Sequence, residues 1–285
     1  MKTGLRLGGG EVTWRAEDSD AAGVLRLRML AESVGMDELA DDGEASCRVV
    51  PGSGFGSRGV GIPRHGMRVD FAHLAERGAE AAFFDGAVAA DELEATRWRG
   101  VRKLLFLGLA PAMLAGRCSM VHGALMTRNG RGVLLCGPSG IGKSTTAGRM
   151  AAEGFEILAD DCFLLRRDDA GKYLARPLPT WSVYLFGKEE VVKCDARREV
   201  PVSHLFILGR KEERYTPLAP QMALLGCATA FTDMVKWHTL RYPEELAAAL
   251  TERALAAAER LTRELPCGAL QLTLDCSISR LLPEI

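Results

Sequence analysis

The octapeptide Gly137-Pro138-Ser139-Gly140-Ile141-Gly142-Lys143-Ser144 constrains this chain more than any other stretch. It fits G-x-x-x-x-G-K-S. It is entered from Gly132-Val133-Leu134-Leu135-Cys136, an apolar run that predicts a buried strand. It is left through Ser144 to Glu153, whose composition favours a helix ending at Gly154. Strand, glycine loop and helix in that order place the chain in the α/β class. The glycines serve a physical need: backbone N–H groups must curl inward around phosphate oxygens, and residues without a Cβ permit that curvature and close approach. The following helix adds free N–H groups and the positive end of its dipole. Lys143 carries a point charge to the β- and γ-phosphates, and Ser144 offers a hydroxyl to Mg²⁺. The expected ligand is a purine nucleoside triphosphate, ATP with Mg²⁺, held by Gly137, Pro138, Ser139, Gly140, Ile141, Gly142, Lys143, Ser144 and Thr145.

Around the loop the pattern continues as short strands and helices. Val121 to Thr127 reads as a strand, and Asn129-Gly130 is a strong hairpin signal. Phe155 to Ala159 reads as a parallel strand that runs into Asp160-Asp161. In open α/β sheets ligands bind beyond the carboxyl ends of strands, so these carboxylates are site candidates. One of the two is expected to hold Mg²⁺, directly or through water, and its neighbour, pointing the other way, to accept a proton from an attacking hydroxyl. His122, one hairpin before the loop strand, is in reach of the phosphates or of a proton to shuttle. Phe163 to Leu165 and Tyr173 to Ala175 flank a turn at Asp168 to Gly171. Leu205 to Leu208 predicts another buried strand, Pro243 to Glu264 a helix with proline in its first turn, and Leu270 to Leu274 a closing strand.

The chain divides near residue 117 into 1–117, an α+β region suited to substrate or partner recognition, and 118–285, the nucleotide-binding region. The first region offers a strand at Glu11 to Arg15 and a helix capped by Asp18 or Ser19. A Gly-rich loop or hairpin spans Pro51 to Pro63, and a long helix runs from Ala90 to Ala115. Gly54 to Gly59 fits G-x-G-x-x-G, but Val60-Gly61-Ile62-Pro63 cannot open the helix that a dinucleotide fingerprint requires, so this glycine run is read as a turn.

Totals narrow the function classes. The 36 basic and 37 acidic residues leave a net charge of -1, which supplies no electrostatic attraction for nucleic acid or an anionic membrane. The eight cysteines form no C-x-x-C pair, which argues against a zinc knuckle and for a reducing compartment. The most apolar stretch, Leu104 to Ala115, is too short to span a bilayer and reads as a buried helix segment. A cytoplasmic location is expected.

These residues also carry a family resemblance. From Met120 to Phe163 the chain resembles the core of the HPr kinase/phosphorylases, in its His122-Gly123 pair, its loop, its helix ending at Glu153-Gly154, and Ala159-Asp160-Asp161. The resemblance implies a P-loop core like that of HPr kinase and the phosphoenolpyruvate carboxykinase C-terminal domain. It also implies transfer of phosphate from ATP to a protein serine, and multimers of the kind that family forms. It assigns Asp161 as proton acceptor, Lys143 as phosphate ligand, His122 as an assisting group, and Ser144 with Asp160 as the Mg²⁺ site. The L-E-x-R-G-x-G signature of that family is absent; Glu189 and Glu190 stand in its neighbourhood in a different context. Arg176-Pro177-Leu178-Pro179-Thr180-Trp181-Ser182 is similar to a segment of SynChlorMet-type proteins from peptide-modification cassettes, some of whose relatives phosphorylate a serine on a precursor peptide.

Together these readings predict a Mg²⁺-ATP-dependent kinase acting on a serine or threonine hydroxyl of a protein or peptide. Two alternatives stay open at this point. One is a nucleotide-binding escort module without phosphoryl transfer, which needs the loop but not Asp161. The other is a small-molecule kinase or carboxykinase-like enzyme.

Overall fold

The computed structural model describes the strand backbones between residues 3 and 88, then residues 106, 109–110, 112–178, 198–240, 242 and 244–282. The expected cap at Asp18 or Ser19, the Gly54 to Gly59 run, most of the Ala90 to Ala115 helix, Pro179 to Ser182, Glu189 and Glu190 lie outside these residues. The chain forms two compact units. One holds the first sheet through Cys118, together with His238–Leu250; the other takes Ser119 onward, including Arg198–Trp237 and Thr251–Ile285.

The first unit contains, among the described residues, a seven-stranded sheet. Its strands are β1 (Thr3–Leu7), β2 (Val12–Ala16), β3 (Asp37–Leu39), β4 (Cys47–Val49), β5 (Val60–Ile62), β6 (Met67–Asp70) and β7 (Phe84–Val88), in the order β3-β1-β2-β4-β7-β6-β5. The strand expected at Glu11 to Arg15 is β2, shifted by one residue. Val60-Gly61-Ile62 forms a strand that pairs with β6, in keeping with a glycine run that opens no helix. Leu109, Ala110, Ala112, Met113 and Leu114 are helical and fully or almost fully buried, as the apolar stretch there predicts.

The second unit is a mixed α/β arrangement. Its nine-stranded sheet contains β8 (Cys118–His122), β9 (Ala124–Arg128), β10 (Arg131–Cys136), β11 (Glu156–Ala159), β12 (Cys162–Arg167), β13 (Tyr173–Pro177), β14 (Val200–Gly209), β15 (Arg214–Pro217) and β16 (Cys267–Gln271). The main order is β11-β9-β10-β14-β13-β12-β8, with β16 on β14 and β15 on β16. β10, β14 and β16 run parallel. β9 and β10 form a hairpin whose Asn129 (φ 52°) and Gly130 (φ 73°) both adopt positive φ. Two such residues form the tight turn whose twist suits a hairpin, which is why Asn-Gly occupies it.

Three strand assignments need correction. Val121 to Thr127 is two strands, broken at Gly123. A Cβ there would lie 2.8 Å from the Leu135 carbonyl oxygen and 3.0 Å from the Phe163 ring, so the chain turns where only glycine fits. The strand before Asp160 pairs antiparallel with β9 rather than parallel. β9 is also antiparallel to β10, so β11 still points the same way as β10 and its carboxyl end opens on the same edge. The closing strand is Cys267–Gln271, so Leu272 to Leu274 lie beyond it.

Helices cover both faces of this sheet. α1 (Lys143–Ala152) buries Ala147 and Met150 against Val133, Leu135, Phe206 and Leu208. Alternation along a strand turns Ile207 to the opposite face. There α2 (Pro220–His238) packs with Gly226 so close that a Cβ would meet Ile207 Cγ2 at 2.7 Å. β10 is thereby buried on both sides, which explains its unbroken apolar run. α3 (Glu244–Glu264) presents Ala254, Ala258 and Leu261 as a buried stripe.

The end of α1 is tied to a distant turn. The Glu153 carboxylate accepts from the Ile278 and Ser279 amides, at 2.8 and 2.6 Å, and from the Ser279 hydroxyl. Arg149, one turn earlier, donates to the Thr273 and Cys276 carbonyls. The far end of α1 is therefore tied to the 273–279 segment. Among the described residues no helix is long and apolar enough to cross a membrane.

Candidate functional site

The loop Gly137–Gly142 leaves β10 at the carboxyl edge of the sheet and feeds directly into α1. Gly140 (φ 77°) and Gly142 (φ 104°) hold positive φ, which the curl of the loop requires. Gly142 is the N-cap residue of α1 and has no side chain to satisfy the first-turn amides. No carboxylate sits in that first turn. The positive end of the helix is therefore left for an anion.

Lys143 is the first residue of α1 and is buried. Its ammonium folds back over the loop, donating to the Gly137 carbonyl at 2.9 Å and the Pro138 carbonyl at 3.2 Å. Burial holds its pKa below the usual lysine value, while the Asp161 and Asp233 carboxylates favour the charged form. An ammonium desolvated among neutral carbonyls, with carboxylates nearby, is suited to receive a negatively charged ligand. Burial also pushes the Cys136 thiol far up, so it stays a neutral packing group.

Asp160 and Asp161 follow β11 at the same edge. The Asp160 side chain is buried, and its backbone carbonyl accepts from the Ser144 hydroxyl at 3.5 Å. Asp161 is more open, with 28% of its side chain exposed. Its backbone carbonyl accepts from the Gly123 amide at 3.0 Å, which pins the break after β8 to the acidic pair. His122, just before that break, places Nε2 3.8 Å from Asp161 Oδ1. The structure thus brings Lys143, Ser144, Asp160, Asp161 and His122 to one sheet edge. Among the described residues no three histidine, cysteine or acidic side chains are grouped as a self-sufficient metal site.

Three further residues stand at this edge that the sequence reading does not single out. Arg210, just past β14, donates from Nη2 to the Gly140 carbonyl at 2.9 Å and from Nε to that of Ile141. Its guanidinium occupies the space a Cβ on Gly142 would need, 2.8 Å away. Asp233 of α2 lies 3.9 Å from His122 Nδ1. Trp237 packs its ring on His122 with centroids 4.8 Å apart. Asp233 is the one carboxylate of α2, a largely apolar helix, and that is the signal that could have found it.

The second unit is thus a mixed α/β fold that presents a glycine loop, a buried lysine and an acidic pair along one sheet edge. The chain belongs to the family of the SynChlorMet cassette protein ScmC, whose model matches residues 109–280. The resemblance read from Arg176 to Ser182 is borne out by that match. Part of the chain is similar to the HPr kinase/phosphorylase of Geobacillus sp. (strain WCH70), 47% identical over 51 residues. It is likewise similar to that of Bacillus subtilis (strain 168), 45% identical over 49 residues. These stretches cover 18% and 17% of this chain and 16% of each relative, so the chain spans about a sixth of the length of the curated relatives it matches. Among solved structures, the Hpr(Ser) kinase/phosphatase from Coxiella burnetii matches with 18% identity and a TM-score of 0.24, covering 35% of this chain and 71% of that one.

Proposed function

We propose that this protein is a Mg²⁺-ATP-dependent kinase that phosphorylates a serine or threonine hydroxyl of a protein or peptide, in the setting of a peptide-modification cassette. The observation that carries this reading is the placement of Asp161 and His122 on the sheet edge that also bears the glycine loop and Lys143. The likeness to HPr kinase/phosphorylases supports the same reaction class.

The residues present fit the nucleotide and its metal. The open first turn of α1 and the buried Lys143 suit a polyphosphate. Mg²⁺ is commonly held by one or two protein oxygens together with substrate phosphates and water, so the Ser144 hydroxyl and the Asp160 carboxylate suffice without a closed protein cage. Bound Mg²⁺ would neutralise charge on the phosphate oxygens.

The remaining work falls to the chain itself. Lys143 and the backbone N–H groups of the loop between Ser139 and Thr145 bind and orient the triphosphate. The acceptor oxygen forms a bond to the γ-phosphorus as the bond between that phosphorus and the β,γ-bridging oxygen breaks. ADP leaves, and the hydroxyl proton passes to Asp161. His122 holds the Asp161 carboxylate in place and helps disperse the proton. Catalysis of this kind rests on positioning and electrostatics.

The experiment is to supply purified protein with γ-labelled ATP, Mg²⁺ and a panel of serine- and threonine-containing peptides. Wild type is expected to transfer label. Asp161→Asn should keep nucleotide affinity and lose transfer by about 10²–10⁴-fold, the range for removing a general base. Lys143→Ala should lose affinity as well. Saturable Mg²⁺-ATP binding with no transfer from wild type, and no change in Asp161→Asn, would leave a nucleotide-binding escort module instead.

A further inference from the structure

α2 carries a buried stripe that stops being buried where it reaches the site. Ala223, Cys227, Ala230 and Met234 recur at intervals of three and four and are 0–1% exposed. That spacing defines one helical face. Trp237 follows Met234 by three and continues the same face, yet it is 45% exposed. An indole at a core-facing position of a helix is normally covered, since it carries more apolar surface than most side chains. Here the ring tilts at 58° against His122, and nearly half of the residue stays exposed. His122 itself is 8% exposed and lies between Asp161, 3.8 Å from Nε2, and Asp233, 3.9 Å from Nδ1.

The uncovered indole therefore packs on His122, the immediate neighbour of the carboxylate proposed to take the acceptor proton. An acceptor hydroxyl that reaches Asp161 brings its neighbouring residues past this ring. The two carboxylates flanking His122 disfavour a negatively charged neighbour at the same place. A small polar metabolite would gain little from the exposed indole, whereas a peptide side chain would cover it.

We propose that Trp237 is an acceptor-recognition residue, receiving an apolar side chain next to the serine or threonine to be phosphorylated, and that the site selects against an acidic residue there. This rests on the kinase reading above and names its substrate class: a peptide segment with an apolar, non-acidic flank. Aromatic side chains are frequent anchors at peptide and protein interfaces because they supply large area for few rotatable bonds.

The test uses the full chain, Mg²⁺-ATP and three peptide series in which the residues beside the acceptor serine are leucine or phenylalanine, alanine, or aspartate. Wild type should show the highest kcat/KM with the apolar flank, about tenfold above alanine, and the lowest with aspartate. Trp237→Ala should raise KM for the apolar-flanked peptide about tenfold and bring its advantage over alanine close to unity. Its KM for ATP should stay within about twofold. Trp237→Phe, which keeps an aromatic face, should recover most of the preference and guards against a folding artefact. A wild type that transfers phosphate without regard to the flank overturns this inference alone, as does a Trp237→Ala that retains the preference. A wild type that phosphorylates no peptide while hydrolysing or binding ATP overturns the kinase reading, and this inference falls with it.

Discussion

Arg210 donates from Nη2 to the carbonyl of Gly140 at 2.9 Å, and the same guanidinium reaches the neighbouring Ile141 carbonyl through Nε. The loop would otherwise turn these two carbonyls toward water and leave its curl free to open. A planar fork that engages two adjacent acceptors braces the loop in a way an ammonium cannot. Arg210→Ala is expected to weaken Mg²⁺-nucleotide binding about tenfold, roughly 1.4 kcal/mol and in line with a charge-assisted pair at a solvent-facing site. Arg210→Lys should recover little of this. Isothermal titration with ADP and ATP measures the effect, and an unchanged affinity in Arg210→Ala would remove the bracing role.

Gly123 has its own consequence. A methyl group there would press on a backbone carbonyl that cannot retreat, since Leu135 belongs to the doubly buried β10. Gly123→Ala should cost about 2 kcal/mol of stability, within the range for overpacking a core. It should also displace His122 relative to Asp161. Urea denaturation reads the first effect, and the transfer assay reads the second as a loss in kcat larger than any change in ATP affinity.

Glu199 serves two arginines. Its carboxylate accepts from Arg166 Nε and Nη2 at 2.7 and 2.5 Å and lies 3.6 Å from Arg176, whose guanidinium is 1% exposed. Removing a carboxylate beside a buried cation is far more damaging than removing one partner of a surface pair. Glu199→Gln is expected to destabilise the second unit by about 3 kcal/mol. Arg166→Ala, which leaves the Arg176 contact in place, should cost less than half as much. Equal losses in the two variants would mean the Arg176 contact contributes nothing.

The Glu153 tie predicts an acid response. Burial alone would raise this carboxyl's pKa. The hydrogen bonds from Ser279, Ile278 and Ser277 outweigh burial and hold it below the usual 4.5. A carboxylate with a depressed folded-state pKa contributes its full stability above the unfolded value and loses it as pH falls through the folded value. Wild type should therefore lose Tm from about pH 4.5 downward. Glu153→Gln should start lower at neutral pH and show a flatter acid limb, measured as Tm against pH from about 7 to 3. Parallel curves for the two proteins would argue against the tie.

Local order carried far in the sequence. The strand, loop and α1 are legible because a glycine pattern, an apolar run and a helix stop fall within two dozen residues. Asn129-Gly130 is legible because its turn needs positive φ at two successive positions. Pairing across the sheet was harder. Nothing in Phe155 to Ala159 shows that β9 intervenes between that strand and β10, since an edge strand and a central parallel one can share the same composition. Gly123 looked like one residue of a continuous strand because the obstacle it avoids, the Leu135 carbonyl, is distant in the chain.

The site divides the same way. The gathering of Lys143, Ser144 and the Asp160-Asp161 pair at one sheet edge is legible from their spacing to the loop. Asp233 and Trp237 are not, because α2 is apolar around much of its circumference and offers little contrast between faces. Arg210 sits in a polar turn beside Lys211, Glu212 and Glu213, where one more charge attracts no notice. Only the parallel pairing of β14 with β10 delivers it to the loop.

The bond between Glu153 and the Ser279 amide joins residues 126 positions apart. At a translation speed of about 5–20 residues per second, α1 would leave the ribosome roughly 6–25 s before its anchor exists. During that interval the glycine loop is already synthesised but its helix lacks the support that fixes its far end. A nascent chain should consequently acquire nucleotide affinity late and abruptly, on completion of the 277–279 turn rather than on emergence of the loop itself.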